Sequence, residues 1–173
     1  MSEGNRILVI DDHPLLRKGV GQLIAMAPHL ELVGEASNGE QGVTQARELD
    51  PDLILLDLHM VGLSGIETLK AIRDADLDCR VVILTVSDNA DDLVAAIRSG
   101  ADGYLLKDME PEDLLAAIDE TLHGRTVISD RLNGMLARAI REEATAKQRD
   151  AATLTDRESE ILQALAQGLS NKL

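Results

Sequence analysis

Five short apolar runs alternate with five helix-like segments between Ile7 and Leu122, and few folds accept that rhythm. The runs are Ile7–Ile10, Glu31–Glu35, Leu53–Leu56, Val81–Leu84 and Tyr104–Leu106. Several are apolar throughout, the pattern of strands covered on both faces of a parallel sheet. A helix opens at Pro14, whose fixed φ suits a first helical turn, and its stripe Leu16, Val20, Leu23, Ile24 and Ala27 keeps the helical period. Further helices are predicted over Glu40–Leu49, Gly65–Arg73, Ala90–Ser99 and Pro111–Leu122, with Gly100 and Gly124 where helix C-termini need left-handed backbone. Alternation on this scale implies right-handed crossovers and an α/β, doubly wound parallel sheet between two helical layers. Ligands of such folds bind beyond the carboxyl ends of the strands, which is where chemistry is to be sought.

After Gly124 the rhythm breaks. Ser129–Ala146 reads as one more helix, with Leu132, Leu136 and Ile140 at helical spacing, and the polar stretch Lys147–Thr153 reads as a linker. Thr155-Asp156-Arg157-Glu158 then forms a capping-box signature ahead of Ile161, Leu162 and Leu165. This last segment is too short to bury a core alone and reads as the beginning of a second domain.

Composition narrows the function classes. With 45% hydrophobic and 28% charged residues among 173, the chain has the make-up of a soluble globular protein. No apolar run reaches membrane-spanning length, and the N-terminus lacks a secretory layout. A lone cysteine, Cys79, fits a reducing cytoplasm and reads as an ordinary core thiol. The net charge of −14 repels nucleic-acid phosphates, so DNA binding would require a locally basic element, and none is visible up to Leu173. The near absence of aromatics, one Tyr with no Phe or Trp, argues against base stacking.

The strand ends carry the chemistry. The first strand ends in Asp11-Asp12, the third in Asp57, the fourth in Thr85 and the fifth in Lys107, and a parallel sheet delivers all of them to one edge. Three carboxylates crowded there repel at a cost on the order of several kcal/mol, which a hard divalent cation such as Mg²⁺ relieves. Lys107 and Thr85 can stabilise the oxygens of a transferring phosphoryl group, and Asp57 is then a candidate carboxylate nucleophile. The bland alternative, strand-end Asp residues capping turns, suits any one of them better than the whole set.

Rival chemistries fit less well. No glycine-rich loop follows the first strand, so neither a dinucleotide fingerprint nor a P-loop is present. A small haloacid-dehalogenase-like phosphatase built on Asp57 would need a second acid two residues on, where His59 stands. A phosphorylation-independent scaffold would not need the complete acid, hydroxyl and lysine set. His13, beside the acidic pair, has two readings, a contact to the pocket or, by preference, the start of the first helix; His29 and His123 are placed near helix ends, and His59 in a solvent-facing loop in preference to a role in water access. Met26, Met60 and Met109 read as core or loop filler.

Leu8-Val-Ile-Asp-Asp12, Asp57, Thr85 and Tyr104-Leu-Leu-Lys107 resemble, in order and spacing, the receiver motifs of bacterial two-component response regulators, over roughly Arg6 to Gly124. Leu154-Thr-Asp-Arg-Glu158 and Ala166-Gln-Gly-Leu-Ser-Asn171 resemble a LuxR-type helix-turn-helix output domain. Gly34–Gln41 and Gly100–Leu114 resemble the nitrate/nitrite branch of that subfamily. The resemblance implies a five-stranded sheet of order 2-1-3-4-5. The implied division is a receiver over 1–127, a linker helix and flexible linker over 128–152, and the N-terminal fragment of a helix-turn-helix domain over 153–173. It implies a non-enzymatic regulator phosphorylated on Asp57 by a sensor histidine kinase, with a nitrate- or nitrite-derived signal upstream. In it Asp12 binds Mg²⁺ directly, Asp11 does so through water, and the His59 main-chain carbonyl completes the site. Thr85 and Lys107 hold the phosphoryl oxygens. Tyr104 is the switch aromatic that reports the position of Thr85 and so biases a two-state surface. Phosphorylation-dependent homodimerisation and promoter DNA are the implied partners of the full-length protein, while no DNA-reading residue is assigned in this chain because its recognition helix would lie beyond Leu173.

Two departures stand out. Many receivers carry Met-Pro after the acceptor, whereas Val61 follows Met60 here and is expected to loosen the loop. Many also carry Pro after the lysine, where this chain has Asp108, leaving the isomer of that peptide open.

Overall fold

Alternating apolar segments assemble into a single parallel sheet in the computed structural model, which describes residues 4–148 together with Ile161 and Ala164. The elements run β1 (Asn5–Ile10), α1 (Pro14–Ala25), β2 (Leu30–Ala36), α2 (Gly39–Leu49), β3 (Leu53–Leu56), α3 (Gly65–Asp74), β4 (Arg80–Thr85), α4 (Ala90–Arg98), β5 (Gly103–Leu106), α5 (Pro111–Leu122), β6 (Val127–Ile128) and α6 (Asp130–Gln148). Strand order is β2-β1-β3-β4-β5-β6, and every neighbouring pair is parallel. The order reverses between β1 and β3, so the carboxyl ends of these two strands flank a topological switch point.

The expected order of the first five strands stands, but the sheet has a sixth. Val127 pairs with Gly103 and Ile128 with Tyr104. Two residues carry no period to read, so this edge strand is silent in the sequence. It also crosses the expected boundary after residue 127. Ser129 donates its N–H to the Tyr104 carbonyl at 3.0 Å and accepts the Leu106 N–H on its hydroxyl at 3.1 Å, which fixes the start of α6 against β5.

The strands alternate between two cores, as a doubly covered sheet requires. Leu8, Ile10, Ile54, Leu56, Val81, Ile83, Tyr104 and Leu106 face α2, α3, α4 and α6. Ile7, Val9, Leu53, Leu55, Val82, Leu84 and Leu105 face α1 and α5. Helix α6 is no free spacer over its first turns: Leu132, Leu136 and Ala137 are buried in the first cluster, which also contains Ile161. The side chain of Ile140, most of the expected linker and the Thr155–Glu158 capping box lie outside the described residues.

Local signals behave as their chemistry dictates. Asn38, Ser64 and Asn89 cap α2, α3 and α4 through side-chain oxygens that accept backbone N–H groups of the first turn. Gly100 and Gly124 adopt φ of +106° and +89° after α4 and α5. The Lys107–Asp108 peptide is trans.

At the amino ends of β4 and β5, the edge remote from Asp57, Arg73 gathers a buried ion pair. Its guanidinium donates to Asp102 Oδ2 at 2.8 Å, to the Gly100 carbonyl and to the Cys79 carbonyl at 2.7 Å, while Asp102 Oδ2 also accepts the Val81 N–H at 2.8 Å. Asp102 is only 5% exposed. Arg80 Nη1 also stands 3.5 Å from Asp102 Oδ1, so Arg73→Ala leaves Asp102 a cation and is expected to cost roughly 1–3 kcal/mol in chemical denaturation through its lost hydrogen bonds to Asp102, Gly100 and Cys79. An unchanged denaturation midpoint would refute that assignment.

Candidate functional site

The backbone ladder carries each candidate group to the same edge. Asp11 donates its N–H to the Ala36 carbonyl at 3.0 Å, Asp57 to Ile10 at 2.9 Å and Lys107 to Thr85 at 2.8 Å, so strand geometry continues one residue past each strand. The loop from β3 to α3 then folds back tightly, with the Gly65 N–H bonding the Leu58 carbonyl at 2.8 Å. A Cβ at Gly65 would lie 2.4 Å from the Asp57 carbonyl oxygen and 2.5 Å from the Leu58 Cα. Only glycine fits beneath Asp57.

Five ionisable groups meet there. Lys107 Nζ lies 3.0 Å from Asp11 Oδ2 and 3.3 Å from Asp57 Oδ2. His13 Nδ1 lies 3.0 Å from Asp11 Oδ1, 3.1 Å from Asp12 Oδ1 and 3.6 Å from Asp57 Oδ2. Asp57 is 2% exposed and Asp11 4%, while Asp12 is partly open to solvent. Among the described residues, the buried oxygens Asp57 Oδ2 and Asp12 Oδ1 accept no well-formed hydrogen bond and are flanked by Lys107 Nζ and His13 Nδ1. Burial pushes the Asp57 carboxyl up from its ordinary value of 3.8, the Lys107 charge pulls it back, and the Asp11 charge adds to the rise.

Asp11, Asp12, His13 and Asp57 can each offer one donor atom within a single cluster. Hard carboxylate oxygens with a part-open side are the donor set a small divalent cation takes. The orphaned oxygens fit such an ion, because they are buried acceptors whose nearest N–H groups form no well-aligned hydrogen bond with them.

Thr85 is fully buried at the end of β4, and its hydroxyl accepts the Ser87 N–H at 3.3 Å. Tyr104 is also fully buried and donates its hydroxyl to the Ser87 carbonyl at 3.0 Å. Burial, only partly offset by that hydrogen bond, pushes its phenol up to about 12. Thr85 and Tyr104 therefore hold the same residue of the β4–α4 loop. Ser87 in turn donates its hydroxyl to Asp92 at 2.6 Å, and the exposed His59 ring reaches Asp92 at 3.2 Å.

His13 occupies the N-cap position of α1 as expected, but its side chain caps no backbone N–H of the helix and its ring instead enters the acidic pocket. Adjacency to Asp11-Asp12 was the available signal. Val61, expected to loosen its loop, instead donates its N–H to Asp12 Oδ2 at 3.3 Å, a bond that proline could not make. Ser87 and Asp92 carry no sequence signal of their own. Nor does Arg131, which reaches Asp88 beyond β4 at 3.7 Å and Asp108 beyond β5 at 3.4 Å from the start of α6.

A doubly wound parallel sheet with an acidic cluster and a lysine at its switch point defines a phospho-acceptor class of domain. The chain matches the response regulator receiver domain family over residues 7–119 and belongs to that family. It is a two-component response regulator. It is 54% identical to the nitrate/nitrite response regulator protein NarL of Escherichia coli K12, over 96% of this chain and 77% of that one. Against NarP of the same organism, also a nitrate/nitrite response regulator protein, identity is 47% over 96% of this chain and 77% of that one. Among solved structures, a LuxR-family two-component response regulator from Aurantimonas sp. SI85-9A1 superposes with a TM-score of 0.75 at 33% identity, covering 79% of this chain and 98% of that one. Among the described residues, no helix is long and apolar enough to cross a membrane.

Proposed function

We propose that Asp57 accepts a phosphoryl group from the phosphohistidine of a sensor kinase, and that the resulting charge resets the β4–α4 loop and a DNA-binding output. The observation that carries this reading is the buried Asp57 carboxylate held 3.3 Å from Lys107 Nζ, with Asp11 and Asp12 beside it and one oxygen unsatisfied. An Asp57 oxygen bonds to phosphorus as the P–N bond breaks, and the electron pair returns to the donor imidazole. Lys107 and Thr85 meet the phosphoryl oxygens. Asp11, Asp12, Asp57 and the His59 main-chain carbonyl would hold Mg²⁺, which when bound offsets charge on the carboxylates and the incoming phosphoryl group. Thr85, drawn toward that group, releases Ser87, to which Tyr104 is bonded. The switch therefore passes through Ser87 to α4. Identity of 54% and 47% to two nitrate/nitrite regulators supports a nitrate- or nitrite-linked kinase; promoter DNA as target and a phosphorylation-dependent homodimer complete the reading for the full-length protein. Residues 1–127 form the receiver in this reading, with 128–152 as connector and 153–173 in the output domain.

Tyr104 is the lone aromatic, so its emission reports the switch without interference. Beryllofluoride with Mg²⁺ is expected to change that emission saturably, and acetyl phosphate with Mg²⁺ to add one phosphoryl mass. Neither response would appear if the pocket were a scaffold remnant.

A further inference from the structure

The pocket contains a nitrogen donor as well as carboxylates. We propose that His13 Nδ1 is a direct ligand for a bound cation and gives this site a preference for borderline divalent transition metals, of the Co²⁺, Ni²⁺ and Zn²⁺ class, over Mg²⁺. The inference rests on the cation-binding reading above and adds the identity of the metals the site selects.

Geometry is the first support. Donors at right angles around an ion at about 2.1 Å lie about 3.0 Å apart. His13 Nδ1 is hydrogen-bonded to Asp11 Oδ1 at 3.0 Å and stands 3.1 Å from Asp12 Oδ1, distances that neighbouring ligands in one coordination sphere also take once an ion replaces the shared proton. Asp57 Oδ2, 3.6 Å away, is near enough to share the same ion. The second support is the pair of orphaned oxygens. Asp12 Oδ1 and Asp57 Oδ2 accept no well-formed hydrogen bond, and both lie on the side of the pocket that Nδ1 faces. A cation there would satisfy both.

The backbone sets the position of the ring. His13 is the N-cap of α1, its N–H bonds Asp11 Oδ1 at 2.8 Å, and Pro14 stiffens the turn that follows. The side chain is 63% exposed, so it can adjust to an ion without disturbing the core. Imidazole suits Co²⁺, Ni²⁺ and Zn²⁺, whereas Mg²⁺ takes oxygen and water. Any site ranks these metals above Mg²⁺ to some extent. What marks His13 is therefore the dependence of that ranking on the ring.

Isothermal titration of the full chain with Mg²⁺, Co²⁺, Ni²⁺ and Zn²⁺ tests this in the wild type, His13→Asn, which keeps a good helix cap but offers oxygen, and His29→Ala as a surface control. His13→Asn is expected to weaken Ni²⁺ and Zn²⁺ at least ten-fold relative to Mg²⁺, and His29→Ala to leave the ratio alone. Co²⁺ loading should also produce a hyperfine-shifted exchangeable imidazole proton in the wild type, absent from His13→Asn. An unchanged Ni²⁺/Mg²⁺ ratio in His13→Asn, with Mg²⁺ binding intact, would overturn the His13 ligand and leave the Mg²⁺ reading standing. His13-dependent Ni²⁺ binding with no Mg²⁺ binding would uphold the ligand and overturn the Mg²⁺ reading.

Discussion

Asp57→Asn is expected to abolish phosphoryl uptake and, without a divalent cation, to raise the melting temperature. The first effect follows from the loss of the nucleophilic oxygen, because the amide keeps the shape and hydrogen-bonding capacity of the site while removing its reactivity. The second follows from electrostatics. Burial and the neighbouring Asp11 charge raise the Asp57 carboxyl above its ordinary value, with Lys107 compensating only in part. A raised acid is one whose charged form the fold disfavours. Its penalty is absent below the unfolded-state value near 3.8, where the group is neutral in both states. It grows as pH climbs through the folded-state value and is then constant. The stability advantage of Asp57→Asn should accordingly be small in acid and full at neutral pH. Each kcal/mol of relief would raise the melting temperature of a chain of this size by ~2–4 °C. Saturating Mg²⁺ should shrink the gap, since the cation stabilises only the carboxylate. Thermal melts of both proteins across pH, with and without Mg²⁺, check the sign. A less stable Asp57→Asn at neutral pH, or a phosphoryl adduct that survives the substitution, would contradict the assignment.

Much of this is legible in the sequence alone, for reasons specific to the elements concerned. Runs such as Leu53–Leu56 are apolar throughout because both faces are covered, and that burial is what makes them visible. The strand-end groups Asp11, Asp12, Asp57, Thr85 and Lys107 were placed together because a parallel sheet leaves them no other edge. What escaped was whatever depends on side-chain direction or on very short pairing. β6 has two residues and no period. The meeting of Thr85 and Tyr104 at Ser87 is set by loop geometry that spacing does not encode, while adjacency to Asp11-Asp12 left the His13 ring a choice between pocket and helix start that only its rotamer decides. Substitution of valine for the usual proline was read as the loss of a restraint. It supplies instead an N–H that the loop uses on Asp12.

Lys107→Ala is expected to slow phosphoryl uptake by roughly 10²–10³-fold, the range lost when one preorganised donor to a developing charge is removed. Nζ is 9% exposed with its side chain and touches both Asp11 and Asp57, so its charge acts in a part-dry site where it counts for more than in water. The same substitution leaves two buried carboxylates without their cation, and the metal-free fold should lose about 1–3 kcal/mol. This is less than the roughly 3–5 kcal/mol of a broken buried pair, because the His13 ring still stands 3.0 Å from Asp11 and 3.6 Å from Asp57. A merely structural lysine would predict the stability loss alone. The competing role predicts something further: Lys107 and Mg²⁺ neutralise the same carboxylates, so Mg²⁺ should bind Lys107→Ala more tightly even as phosphorylation slows. Lys107→Arg restores the charge but not the reach of a compact ammonium, so it should recover stability and only part of the rate. Weaker Mg²⁺ binding in Lys107→Ala, or an uptake rate equal to the wild type, would remove Lys107 from the phosphoryl-binding set.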